Sequence, residues 1–188
     1  IKNLRKKRLN PKIEILAHGL DNGNAALLVE TAVIDLLGVK RLTNRVRGWR
    51  SGQLGRLSVE HVVALYGAEK ANVSEPSLLI RINEQYRYGM TPIDLYDAAR
   101  GVWRIGDRRE KAELALAVFE GVVQEVYAIR SWHPAGTTFS TRGDLTCSGR
   151  WEFVGNVADA RTRKKYYLKS VRKEFAQGSQ NPIRYLNL

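Results

Sequence analysis

Chemistry in this chain starts at a carboxylate in an apolar setting. Within Asn24–Leu37 (NAALLVETAVIDLL), Glu30 stands among Ala26, Leu27, Val29, Val33 and Ile34. An ionised carboxylate facing a core costs several kcal/mol unless a partner or a metal satisfies it. Asn44 follows just beyond the helix end, so a side-chain amide comes within reach of that acid across a tight turn. The plain alternative is a glutamate turned sideways to solvent or paired with an arginine.

Three further groupings have the residue types that meet nucleic acid. The loop RVRGWR places Arg45, Arg47 and Arg50 around Trp49. Guanidinium groups hold phosphates bidentately, and an indole stacks on a base or on arginine. The same loop can equally be a solvated basic segment with its Trp packed down. The run RTRKK, with Lys164 and Lys165, is a second candidate for phosphate contact, against the ordinary reading of a solvated charged face. The later half of the chain carries Tyr86, Tyr88, Trp103, Trp132, Phe139, Trp151 and Phe153. A base can stack between such rings and have its edge read by backbone, Asn or Arg groups. Trp103, Trp132 and Trp151 are the candidates for a base pocket, and core packing is the competing role for most of the set.

Other chemistries find little support. His18, His61 and His133 are scattered without metal-ligand spacing, and Cys147 has no neighbouring His pattern. Asp94 and Asp97 on one short helix read as caps or surface charges. A single cysteine excludes an internal disulfide and a cysteine-based zinc site.

The elements that position these residues follow from pattern. Lys12–His18 alternates apolar and polar residues and predicts a strand. Asp21–Asn24 supplies an N-cap, a helix runs from about Asn24 to Leu37, and Gly38 is a suitable C′ residue. Residues 1–9 predict the end of a basic helix, broken at Asn10-Pro11. Ser58 begins a second helix, and Asn72–Pro76 reads as a linker. Beyond it, Ser77–Asn83, Val102–Ile105, Gly121–Trp132, Arg150–Val154 and Tyr166–Lys169 predict strands. Thr91–Arg100 predicts a helix with Thr91 as cap and Pro92 at the first position, and Arg109–Val118 predicts another. Pro134–Gly149 reads as a mobile Thr/Gly/Ser-rich loop.

Bulk properties bound the partners. The chain has 188 residues, 44% of them hydrophobic, and a formal net charge of +12. That excess favours polyanions, although an acidic protein partner fits the same charge. No run of 18 apolar residues is present, so no membrane partner is expected. No apolar signal segment is seen. Absence of paired cysteines is compatible with a reducing cytoplasm. Ile rather than Met at the start is the expectation for a piece of a longer protein.

Residues 12–47 resemble the later half of a GIY-YIG nuclease domain: the strand KIEIL, the helix NAALLVETAVIDLLG with its internal Glu, then LTNRV after a short turn. The resemblance implies that Glu30 binds the single divalent metal, Mg²⁺ or Mn²⁺, and that Asn44 shapes the catalytic site. The family's two tyrosine motifs and its catalytic arginine lie upstream of this helix. Here the first tyrosine is Tyr66, so neither motif is present. The arrangement RGVWRI, AVFEGVVQEVYAIRSW and RWEFVG resembles small β-barrel modules of the PUA/EVE type.

The resulting expectation is an α+β protein in two parts. A partial GIY-YIG-like α/β unit spans residues 1–72, and a PUA-like mixed β-barrel with helices spans 73–188. The expected function is metal-dependent DNA endonuclease. The alternative is a non-catalytic reader of RNA or modified DNA that uses the basic surface and an aromatic pocket. Nucleic acid, DNA in first place, is the expected partner.

Overall fold

The structure is a computed structural model that describes residues 14–38, 41, 42, 48, 50, 54–143, 147–176 and 178–188. The chain divides into two compact units, residues 1–56 and 57–188. The basic segment 1–9 lies outside the described residues.

In the first unit the helix expected after the Asn/Gly turn is α1, Gly23–Leu37. Asn22 is extended, and its side-chain oxygen accepts a hydrogen bond from the Ala25 N–H at 3.0 Å, satisfying one of the helix's open donors. Gly38, at φ 81°, ends the helix by donating to the Ile34 carbonyl at 2.8 Å. This left-handed position is where glycine costs least. The strand expected over Lys12–His18 does not form across its described part. Glu14–Leu20 are exposed and irregular, with Ile15 78% and Leu16 73% accessible. Alternation alone makes no strand: a ladder needs a neighbour to accept its hydrogen bonds, and among the described residues this segment has none.

The second unit begins with α2, Val59–Gly67, capped by Ser58, whose hydroxyl accepts from the His61 N–H. The following residues run along the unit: Ala71 N–H donates to the Ser170 carbonyl at 2.8 Å, and the Asn187 amide donates to the Val73 carbonyl at 2.9 Å. The segment read as a linker is thus tied into the second unit.

A six-stranded mixed sheet dominates this unit, curled into a half-barrel. Its strands are β1 Ser77–Arg81, β2 Gly101–Trp103, β3 Leu114–Phe119, β4 Val122–Pro134, β5 Trp151–Val157 and β6 Ile183–Leu186, in the order β2-β5-β4-β3-β1-β6. Only β1 and β3 pair in parallel. The chain crosses between them through α3, Pro92–Arg100, and β2. Among the described residues the sheet is open, with β2 and β6 as its edges. The broader α+β class holds.

Burial explains why Arg109–Val118 is not a helix. After a short 3₁₀ turn at Asp107–Lys111, LALAVF lies between β1 and β4 and is buried on both faces. A continuous apolar run of this length fits a buried strand as well as a helix, and here pairing on both sides overrides the helix preference of Ala and Leu. Alternate residues enter two cores. Leu78, Ile80, Ala115, Ala117 and Phe119 face one, and Leu79, Leu114, Leu116 and Val118 face the other. Ala98 and Ala99 of α3 join the first core.

Between β4 and β5 the register shifts at Ile129–Ser131, opposite Gly155. A Cβ on Gly155 would fall 2.2 Å from the Ala128 carbonyl oxygen, so only glycine admits this approach. The strand expected at Tyr166–Lys169 is replaced by the end of α4, Ala160–Tyr166, which absorbs the RTRKK run. Asp159 caps it by accepting from the Arg161 and Thr162 N–H groups. No helix of the described residues is long and apolar enough to cross a membrane.

Candidate nucleic-acid interface

In the first unit, α1 buries only Thr31 and Ile34, and Glu30 lies on its exposed side with no hydrogen bond or ion pair among the described residues. The apolar surroundings in sequence therefore do not become apolar surroundings in space. The helix's other acid, Asp35, accepts from the Arg56 N–H at 3.1 Å. Asn44, Arg45, Arg47 and Trp49 lie outside the described residues. Arg50 is exposed, at φ 52°. Among the described residues no three His, Cys, Asp or Glu side chains gather to hold a metal ion. A single exposed carboxylate is nevertheless a fitting donor for Mg²⁺, which keeps several of its waters and takes one or two protein carboxylates.

In the second unit the three candidate tryptophans take different places. Trp103 is buried, and its indole N–H donates to the Ala99 carbonyl at 2.7 Å. It lines a cavity of about 570 Å³ together with Arg81, Asn83, Gln85, Ser179 and Gln180. Trp151 faces Trp103 in register across β2 and β5 and lies under the Arg109 guanidinium at 3.5 Å. Trp132, on β4, packs edge-on to Phe153 at 5.6 Å, and its indole nitrogen is buried without a hydrogen bond. All three pack against the first core. Phe139 is 82% exposed on the loop after β4.

That loop is held by a buried ionic cluster that the sequence did not reveal. Asp97, read as a cap or surface charge, is 2% exposed, as is Glu152, and Arg100 is 3% exposed. The Arg100 guanidinium lies 3.5 Å from Asp97 Oδ1 and 3.5 Å from Glu152 Oε1. It also donates to the Phe153 carbonyl at 3.1 Å, to the Phe139 carbonyl and to the Thr138 hydroxyl. Glu152 accepts from the Thr138 N–H at 2.9 Å and its hydroxyl at 2.8 Å, and Asp97 accepts from the Thr141 N–H at 2.7 Å and its hydroxyl at 2.6 Å. Arg142 reaches back to the Asp97 and Gly101 carbonyls at 3.0 and 2.7 Å. Residues 138–142, part of the segment expected to be mobile, are therefore fastened to α3 and β5. The three-residue spacing of Asp97 and Arg100 on one helix was the available signal.

The basic helix α4 is only partly free for phosphate. Lys164 is exposed, but Lys165 pairs with Glu75 at 2.5 Å and Arg163 grips Glu125 at 2.6 and 3.1 Å. Hydrogen bonds from Lys165 and Tyr166, with a lesser one from Ser74, pull the Glu75 carboxyl down to about 2. Burial pushes the Glu152 carboxyl up, but the Thr138 hydroxyl, the Gly136 and Thr138 backbone and Arg100 outweigh it, so it too titrates below the ordinary range. A folded-state carboxyl held below its unfolded value, about 4.3 for glutamate, stabilises above that pH and loses its contribution as pH falls through the folded value. Stability is therefore expected to decline from about pH 4.5 toward pH 2. Urea unfolding at pH 6 and pH 3 measures it, and Glu75→Gln should lose less between the two than the parent chain. Equal losses would exclude Glu75 as a source of the decline.

The comparisons with known proteins return no match: no family model, no curated protein and no solved structure matches this chain.

Proposed function

We propose that this protein binds nucleic acid, with the first unit supplying most of the electrostatic hold and the second reading a base. The carrying observation is how the charge divides between the units. Residues 1–56 contain 12 Lys/Arg against 4 Asp/Glu, a net +8, and residues 57–188 contain 19 against 15, a net +4. In the second unit several of these cations are already committed to carboxylates, as at Arg100, Arg163 and Lys165. Excess cations in a small segment attract phosphate without reading sequence. Recessed aromatic and amide groups in the second unit have the chemistry of base recognition.

The test is fluorescence-anisotropy binding of single- and double-stranded DNA and RNA over a salt series. The logarithm of the affinity should fall linearly with the logarithm of salt, by about 0.9 per phosphate contact on duplex DNA. A salt-independent affinity, or no binding to any of the four, overturns the reading.

Metal-dependent cleavage of DNA is a second reading, favoured by one observation: Glu30 is exposed on α1 with no partner among the described residues. Glu30 would provide one oxygen ligand to Mg²⁺, which supplies charge neutralisation at a scissile phosphate. Cleavage of plasmid DNA with Mg²⁺ and with EDTA tests it.

A further inference from the structure

The turn between β3 and β4 borders a recess whose two cations have no acidic partner. The recess holds about 290 Å³ and is lined by Arg81, Asn83, Glu120, Gly121, Arg172 and Phe175. A Cβ on Gly121 would fall 2.1 Å from Arg172 Cγ, so the arginine stem crosses the turn where only glycine leaves room. From there Arg172 Nε donates to the Glu120 carbonyl at 3.1 Å, and Nη2 donates to the Leu65 carbonyl. Arg81, at the end of β1, donates from Nη1 to the Ser179 carbonyl at 2.8 Å, and its guanidinium lies over the Phe175 ring at 4.3 Å. Both guanidiniums are thus held by neutral groups. Neither makes an ion pair among the described residues.

A guanidinium carries five N–H donors. One is used at Arg81 and two at Arg172. The remaining donors are within reach of a ligand: no Arg81 nitrogen is buried without a partner, and Arg172 is exposed. The one acid of the recess, Glu120, is engaged with Asn83. Its carboxylate accepts from the Asn83 amide at 3.0 Å, and its N–H donates to Asn83 Oδ1 at 3.0 Å. Two cations therefore stand against one carboxylate, with their orientations already set. Such guanidiniums fit an oxyanion, phosphate foremost, through paired N–H donors.

Arg81 and Asn83 also line the Trp103 cavity, so the two hollows adjoin. That cavity, at about 570 Å³, has the volume of a small-ligand site. Its polar lining is neutral apart from Arg81 and the exposed Glu84. A phosphate held on Arg81 has space beside it for the ring it carries.

We infer that Arg81 and Arg172 bind the phosphate of one nucleotide unit whose base enters the adjoining Trp103 cavity. The inference rests on the proposed nucleic-acid reading and names a phosphate contact within it. The unit belongs either to a strand or to a free nucleotide.

The experiment uses the 188-residue chain labelled with ¹⁵N. It is titrated with inorganic phosphate, with dAMP and with (dA)₇. The Arg81 and Arg172 Nε–H signals should move with dAMP and with the strand. The Trp103 indole signal should move with these two and not with inorganic phosphate. Tighter binding of (dA)₇ than of dAMP assigns the unit to a strand, and the reverse assigns it to a free nucleotide. Arg81→Gln and Arg172→Gln should each weaken the tighter ligand at least about 10-fold, the scale of a hydrogen bond to a charged group. With (dA)₇ the salt slope should fall by about 0.7, one phosphate contact on a single strand. Lys111→Gln removes an exposed charge outside the recess and should change neither. Arg172 is exposed, so its variant keeps the test valid where Arg81→Gln fails to fold. Stationary arginine signals, or parent-like affinity in Arg172→Gln, would overturn the phosphate site even where salt-dependent DNA binding persists. A stationary Trp103 signal would overturn entry of the base. Absence of strand binding sinks the broader reading, and arginine signals that still move with dAMP would then support the site for a free nucleotide.

Discussion

Arg100→Met is expected to lower the unfolding free energy of the second unit by about 3–5 kcal/mol. Arg100 lies between two carboxylates that are each 98% removed from solvent, Asp97 and Glu152, and satisfies both along with the Phe139 and Phe153 carbonyls and the Thr138 hydroxyl. A methionine fills similar space but leaves two buried negative charges facing each other without a cation. Breaking a buried pair by removing one partner is the costly case. Replacing the whole group with apolar residues is often close to neutral. Adding Glu152→Gln to Arg100→Met should therefore recover part of the loss, and the two substitutions should be strongly non-additive. Arg100→Lys keeps the charge but lacks the planar fork, and should fall between Met and the parent. Tryptophan fluorescence during urea unfolding reads the effect, since Trp103, Trp132 and Trp151 all lie in this unit. A loss below about 1 kcal/mol, the scale of an exposed pair, would mean that the cluster is solvated and does not hold the loop.

On the proposed cleavage reading, Glu30→Ala is expected to reduce Mg²⁺-dependent DNA cleavage at least about 100-fold, beyond the range measured for residues that only support metal ligands. Its melting temperature should stay nearly unchanged, because substitutions at exposed positions usually alter stability by no more than about 0.5 kcal/mol. DNA affinity should also stay nearly unchanged, since an acid makes no favourable phosphate contact. This combination separates a metal ligand from a structural residue, which would lower stability, and from a binding residue, which would lower affinity. Full activity in Glu30→Ala would remove Glu30 from the metal-ligand role.

Much of the local structure was legible in the residues. Asn22 and Gly38 delimit α1, Ser58 starts α2, and Thr91-Pro92 opens α3, because a cap is set by a side chain only a few positions from the backbone groups it satisfies. Ser77–Arg81 and the long β4 were readable as apolar-rich strand segments. LALAVF was not, because its conformation is decided by β1 and β4 on either side. KIEILAH failed for the converse reason: its alternation was clear, and the described part finds no partner strand.

The candidate sites divide in the same way. Composition and charge alone determine the polyanion-favouring excess, because charge is additive along the chain and needs no fold; its division at residue 56 follows from the two units of the structure. Only the tertiary structure decided that Glu30 faces outward, that Lys165 is committed to Glu75, and that Asp97 is buried beside Arg100 and Glu152. Burial and pairing join residues tens of positions apart. A carboxylate or an amide reads the same in sequence whether water or a folded core surrounds it, and its chemistry follows from which of the two it meets.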